Sequence, residues 1–326
     1  MKAVQVRAHG GYEQLQLVEL PRPVPAEGEV VVQMRATAIN PLDNLMRSGK
    51  FTMGKSLPLI PGNEGVGVIA SEGSDLPVGT PVMLRHAYFL PAGGTWQEEV
   101  LAPRSLVVAL PPGSSELEAA AMRTAYDAAY LAMVHQGQFQ PGQVLFAPGV
   151  GSSVGNAVIQ LGQALGAARV ITTAGSSAKA QRARELGYAD VIDLTQESIR
   201  DGIARLTSKA GVDLVIDGLG GEITTQGLAS LKSEGTLVLL GDAAGSEAHF
   251  YASEFVGKAA RIAAHQTVRA TKEMLDEAFS VYFKLWIEGR IRPVVDRTFP
   301  LEQVAEAQRY QVEGRPFGKV LLTFLA

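Results

Sequence analysis

The spacing of apolar residues changes character once along the chain. Over the first hundred or so residues, apolar positions fall in short runs cut by proline and glycine: 3–7, 29–36, 65–69, 81–84, 98–102 and 106–109. That pattern predicts an irregular β domain of short strands. From Glu116 to Met133 the sequence turns alanine-rich and helical. Beyond it, apolar runs starting at Val144, Val170, Val191, Leu214 and Thr236 alternate with stretches of helical period. Such a rhythm predicts a parallel, doubly wound α/β sheet. After residues 262–264 the rhythm stops. A helix over 272–288, an extended stretch at 291–295, a second helix from Leu301 and a terminal strand over 319–324 are expected to return to the first domain. The expected organisation is therefore 1–121 with 266–326, and 122–265, without internal repeats or a long linker.

The sharpest chemical signal lies at the first strand of the alternating region. Val144-Leu-Phe-Ala147 reads as a buried strand, and Pro148-Gly-Val-Gly-Ser-Ser-Val-Gly155 as a tight loop. Val154, Val158, Leu161 and Leu165 then form one stripe of a helix at i, i+4, i+7 and i+11. Gly149 and Gly151 let the backbone turn, and Gly155 lets the helix approach the sheet. The unpaired amides around Ser152, Ser153 and Val154, with the positive end of the helix dipole, suit a pyrophosphate. At the end of the next strand an Asp or Glu would bind a ribose 2′-hydroxyl and favour NAD. The chain instead carries Gly175, Ser176, Ser177 and Lys179, small donors and a cation suited to a 2′-phosphate. The expected cofactor is NADPH.

Composition narrows the remaining possibilities. With 46% hydrophobic and 19% charged residues over 326 positions, the chain reads as ordered and globular, with length for about two cores. A net charge of −4 without a basic cluster argues against nucleic acid or an anionic membrane as main partner. No apolar run reaches the roughly 20 residues of a membrane span, and a strand is expected from Lys2 onwards, so a cytoplasmic location is expected. The absence of cysteine excludes disulfides, thiolate nucleophiles and cysteine-based zinc sites. His9, His86, His135, His249 and His265 are scattered without ligand spacing, so no metal is expected.

Several segments in order, Ile39-Asn-Pro-Leu-Asp-Asn-Leu-Met-Arg-Ser-Gly49, Pro61-Gly-Asn-Glu-Gly-Val-Gly67, the loop above, residues 211–221, residues 235–241 and Gly314-Arg-Pro-Phe-Gly-Lys-Val-Leu-Leu322, carry a family resemblance. Together they resemble the zinc-free quinone oxidoreductase branch of the medium-chain dehydrogenase/reductase superfamily. The resemblance implies a Rossmann domain beside a GroES-like irregular β-barrel domain. By family position Asn40 and Asn63 stand where zinc-dependent relatives carry Cys and His ligands, so a catalytic zinc has nothing to hold it. Three departures from the branch stand out: Ser152 and Ser153 replace glycines, Leu194 replaces a tyrosine near the 2′-phosphate, and Leu45 and Phe51 replace active-site tyrosines. The pocket should therefore be more apolar.

The expected chemistry is hydride transfer from NADPH to a quinone, an acceptor that delocalises the developing charge and needs less Lewis-acid help. An α,β-unsaturated aldehyde or ketone is the rival substrate, and an NADPH-binding redox sensor without turnover is the alternative of another class. By resemblance Asn40 is the candidate donor to the developing oxyanion, its other reading being a turn-holding amide. Asp43 and Arg47, at i and i+4, are read as pocket scaffolding first and substrate contacts second, their other reading being a mutual pair. Thr124 is a candidate at the nicotinamide or else a helix N-cap, and Glu64 is expected to make a structural hydrogen bond. Gly218, Leu219, Gly241 and Lys319 are implied on the cofactor side. A homodimer is expected through the sheet edge near residues 255 to 265.

Overall fold

Alternation and turn chemistry give the elements of a computed structural model that describes residues 1–85, 90 and 93–324. In chain order they begin β1 (Lys2–Val6), β2 (Leu15–Glu19), β3 (Glu29–Ile39), α1 (Pro41–Ser48), β4 (Gly65–Ile69), β5 (Pro81–Leu84), β6 (Glu99–Pro103), β7 (Val107–Ala109), α2 (Glu116–Ala120) and α3 (Arg123–Tyr130). They continue with β8 (Val144–Ala147), α4 (Ser153–Ala164), β9 (Arg169–Ala174), α5 (Ser177–Glu185), β10 (Asp190–Asp193), α6 (Ile199–Leu206), β11 (Val212–Asp217), α7 (Glu222–Ala229), β12 (Leu231–Leu239), α8 (Ala252–Gly257) and β13 (Arg261–Ala264). Last come α9 (Lys272–Ile287), β14 (Val295–Pro300), α10 (Val304–Glu313) and β15 (Lys319–Thr323).

The first unit, Met1–Thr124 with Pro293–Ala326, is the irregular β domain. Among the described residues its main sheet runs β14-β15-β3-β4-β5-β7, with β6 on β3 and β1 paired antiparallel to β2. The long strand β3 feeds two cores: Val30, Val32 and Met34 pack with Ile69, Val82 and Val100, while Ile39 packs with Val6, Trp96, Val320 and Leu322.

The second unit, Ala125–Arg292, holds the doubly wound sheet, in the order β10-β9-β8-β11-β12-β13 with parallel pairing throughout the described strands. Strand order reverses beside β8, so the carboxyl ends of β8 and β11 flank the point where ligands bind such sheets. Buried branched residues, Ile171, Ile192, Val212, Val215 and Leu237, form its core with Ile199 and Ile203 of α6.

Three features depart from expectation. The chain leaves the second unit after Arg292 instead of near residue 265. α9 stays there because Tyr282 donates to Asp127 (3.0 Å) and Tyr130 to Glu277 (2.8 Å), and the Arg292 backbone is tied to the Gln160 side chain. In the extended stretch expected at 291–295, β14 starts only at Val295. Strand β2, of which only Leu15 is buried, was not expected. Of the histidines, His265 is buried on Thr267, and burial pushes its pKa down to about 4; His86 lies outside the described residues. Among the described residues no helix is long and apolar enough to cross a membrane.

Candidate functional site

The loop after β8 takes the shape its glycines permit. Gly149 adopts φ +80, and a Cβ there would meet Leu219 Cδ1 at 2.7 Å. Its N–H donates to Thr173 Oγ1 (2.9 Å) and the Val150 N–H to the Thr173 carbonyl (2.9 Å), so the end of β9 fixes the loop. Ser152 caps α4, its Oγ accepting the Gly155 N–H at 2.8 Å. A Cβ on Gly155 would lie 2.5 Å from the Gly149 carbonyl oxygen, which explains why only glycine fits. The first-turn amides of Ser153 and Val154 have no acceptor among the described residues. Two free N–H groups at a helix start, with the loop cleared of side chains, fit a pyrophosphate.

The end of β9 is open. A Cβ on Gly175 would meet nothing within 4 Å, and Ser176 caps α5 by accepting the Lys179 N–H. Ser177 shares a hydrogen bond with Thr195 (3.1 Å). Asp193, in register with Ala174 on the neighbouring strand, has its Oδ1 taken by the Thr195 amide and hydroxyl. Hydrogen bonds from Ser177 and Thr195 hold its carboxyl below the usual carboxylate range. Leu194 is partly exposed beside it.

Two further loops meet the first. Asp217 at the end of β11 is fully buried; its Oδ1 accepts the Leu219 (2.7 Å) and Gly220 (3.2 Å) amides, and its Oδ2 the Thr224 hydroxyl. This locks the loop that sets Leu219 against Gly149. A Cβ on Gly241 would lie 3.1 Å from the Gly218 carbonyl oxygen. Gly149, Gly151, Ser152, Gly218, Leu219 and Gly241 thus belong to adjoining loops at the carboxyl end of the sheet, with Ser153, Val154 and Gly155 in the first turn of α4. Thr173 and Asp217 were missed by sequence reasoning, although an Asp ending an apolar strand before Gly-Leu-Gly-Gly signals a side chain capping its own loop.

A second cluster lies in the first unit. Pro41 and the preceding Asn40 start α1, and Asp43 accepts the Asn40 N–H at 2.7 Å. Asp43 also accepts from the Gly62 amide (3.0 Å) and Asn63 Nδ2 (3.4 Å). It is fully buried, and burial pushes its carboxyl up to about 7 despite the donors. Arg47 points elsewhere, to Gln308 (2.6 Å), Asn44 (2.7 Å) and the Gly10 carbonyl, so the expected pair with Asp43 does not form. An acid in the first turn turns back to its cap, out of reach of the last turn.

Glu64, 1% exposed, joins the remaining candidates. Its Oε1 accepts from Asn40 Nδ2 (3.0 Å) and contacts Lys319 Nζ (2.9 Å); its Oε2 accepts the Thr124 N–H (2.8 Å). Lys319 Nζ also donates to Asn40 Oδ1 at 2.6 Å. Burial works to raise the Glu64 pKa, yet the Lys319 and Arg123 charges, with the Lys319 and Thr124 hydrogen bonds, bring it net below the usual range. Lys319, expected on the cofactor, is thus committed to a buried ion pair. Asn40, expected as an oxyanion donor, is 1% exposed with both ends of its amide engaged. Thr124 is the second residue of α3, so it is not the helix cap, and its buried Oγ1 has no hydrogen-bond partner among the described residues.

Residues 26–112 match the family described as alcohol dehydrogenase GroES-like domain, and residues 186–322 the family described as zinc-binding dehydrogenase. The chain is 30% identical to the rat synaptic vesicle membrane protein VAT-1 homolog, covering 99% of this chain and 84% of that one. It is also 30% identical to bovine quinone oxidoreductase-like protein 2, covering 93% and 87%. Among solved structures it resembles an NAD-dependent alcohol dehydrogenase (29% identity, TM-score 0.88, 99% of both chains). It likewise resembles Escherichia coli quinone oxidoreductase complexed with NADPH (26%, TM-score 0.85, 99% and 100%). The zinc in one family description does not fit this donor set. Asn63 gives its amide to Asp43, Asn40 is held by its neighbours, and the Glu64 carboxylate already faces an ammonium 2.9 Å away.

Proposed function

The chain belongs to the quinone oxidoreductase branch of the medium-chain dehydrogenase/reductase superfamily, and we propose that it is an NADPH-dependent reductase of quinones that works without zinc. The observation that carries this reading is the cleared cradle from Gly149 to Gly155 beside a strand end, Ala174, that bears no acid. The Ser153 and Val154 amides would take the pyrophosphate, and Ser176 and Lys179 the 2′-phosphate. NADPH bound there would supply a hydride. The E. coli relative's structure is an NADPH complex, which supports this choice over the NAD dependence named for the alcohol dehydrogenase.

In the first unit we propose Asn40, Asp43 and Thr124 as the residues that serve the reaction; the Thr124 Oγ1 is buried and has no hydrogen-bond partner among the described residues. Asn40 then serves by holding Glu64 and Lys319, and Asp43 by fixing the turn on which Asn40 sits. A reduced quinone can take its protons from water, so the chain needs no dedicated acid. We further propose a homodimer through the outer edge of β13, where Ile262 is exposed. Purified protein assayed for NADPH consumption with EDTA, against panels of quinones and of enals and enones, tests the main reading. Quinone turnover with NADPH ahead of NADH is expected; turnover confined to the second panel would make it an enone reductase, and binding without turnover a sensor.

A further inference from the structure

We propose that Asn156, held by Tyr188 and Gln160, is a positioning residue that turns the Gly151 and Ser153 amides toward the pyrophosphate, an inference that rests on the dinucleotide reading above. In a trans peptide the C=O and the following N–H point in opposite directions. Anchoring a carbonyl from behind therefore aims the next amide forward. Asn156 Nδ2 donates to the Val150 carbonyl and, at 3.2 Å, to the Ser152 carbonyl. The amides that follow these carbonyls, Gly151 and Ser153, have no acceptor among the described residues. Asn156 is 2% exposed, so its side chain anchors the loop from the interior.

An asparagine amide can sit either way round, and only one way puts its nitrogen toward the loop. The choice is made at the far end of a buried chain of bonds, all of it within the second unit. The Arg292 backbone gives its N–H to Gln160 Oε1 (2.5 Å) and accepts Gln160 Nε2 on its carbonyl (2.9 Å). A backbone donor and acceptor cannot exchange roles, so the Gln160 amide has one orientation; Tyr126 donates to the same Oε1 at 3.1 Å. Gln160 Nε2 also donates to the Tyr188 hydroxyl oxygen (3.0 Å), and the Tyr188 O–H donates onward to Asn156 Oδ1 (2.7 Å). That leaves the Asn156 nitrogen facing the loop. Burial pushes the Tyr188 pKa up to about 12, so the phenol keeps the proton it donates. Each side-chain polar atom along this path has a partner, and a buried polar chain is rigid only when it is satisfied throughout.

The test measures binding, not turnover. Kd is determined for NADPH and for 2′-AMP, which carries the 2′-phosphate but no pyrophosphate, with wild type, Asn156→Ala, Tyr188→Phe and the double variant. Asn156→Ala should weaken NADPH about tenfold or more, the scale of one hydrogen bond to a charged group, and leave 2′-AMP within about twofold. Tyr188→Phe removes one oxygen that does not touch the loop and should weaken NADPH several-fold, again without moving 2′-AMP. The double variant should bind NADPH no more weakly than Asn156→Ala, because both changes break one chain. Unchanged NADPH binding in Asn156→Ala, an equal loss for both ligands, or losses that multiply in the double variant overturn the proposal.

Should Asn156→Ala fail to fold, Tyr188→Phe decides alone with the same two ligands: NADPH weakened with 2′-AMP unmoved supports the proposal, and any other pair of results overturns it. If wild type prefers NADH, then NADH and adenosine replace the two ligands with the same expectations. Wild type that binds neither dinucleotide overturns the cofactor reading and the proposal together, whereas NADPH binding indifferent to Asn156 and Tyr188 overturns the proposal alone.

Discussion

Asp43 illustrates how a single side chain carries the pH behaviour of a buried site. Its carboxyl titrates near 7 in the folded chain against an ordinary value of 3.8. Between those values the folded state holds a proton that the unfolded state has lost, so this group makes stability fall as pH rises through that window. Asp43→Asn removes the titration, and its melting temperature should change less than that of wild type between pH 4.5 and 7.5; parallel curves would contradict the assignment. On the cofactor side, Ser176→Asp keeps a residue that caps α5 while adding an acid where a ribose 2′-hydroxyl would lie. The NADPH-to-NADH ratio of kcat/KM should drop by at least about tenfold, as it should in Lys179→Ala through a higher KM for NADPH. An unchanged ratio in both would remove these residues from the 2′-phosphate. The residues that sequence made legible act locally: Gly149, Ser152 and Gly155 shape a loop they belong to. The bond of Lys319 to Asn40 was not legible, because the two are 279 positions apart and no local pattern announces a bond across that separation.

At the scale of elements, the β8–α4–β9 unit was the most legible, since strand, glycine loop and helical stripe each impose a different spacing. The glycines within it are not equivalent. Gly155→Ala places a Cβ against a backbone carbonyl that cannot yield, and should cost about 1 to 3 kcal/mol and weaken NADPH binding. Gly175→Ala meets open space and should melt like wild type, so calorimetry of the two variants separates a packing role from a merely permissive one. Elements decided by tertiary contacts were less legible. The stretch at 291–292 has strand-like composition, but Ile291 is buried and the Arg292 backbone is taken by Gln160, so pairing starts only at Val295. The short strand β2 is anchored by its register with β1, which its own sequence does not name.

For the molecule as a whole, proline-cut strands fill the first unit and alternating strands and helices the second, and the chain returns to the first after Arg292. α9 is helical whichever unit it joins, and tertiary contacts, among them those of Tyr282 to Asp127, Glu277 to Tyr130 and Arg292 to Gln160, keep it in the second. The outer edge of β13, unpaired among the described residues, leads to a prediction at this scale. Wild type should elute and scatter light as a dimer, and Ile262→Lys as a monomer; a monomeric wild type would contradict the proposed interface. The central claim concerns what the chain catalyses, and one assay reaches it most directly: oxidation of NADPH by the purified protein in EDTA, with quinones as acceptors and NADH as the control. The account predicts metal-independent quinone turnover with NADPH clearly ahead. Activity that disappears with EDTA and returns with zinc, or no quinone turnover beside robust NADPH binding, would contradict it.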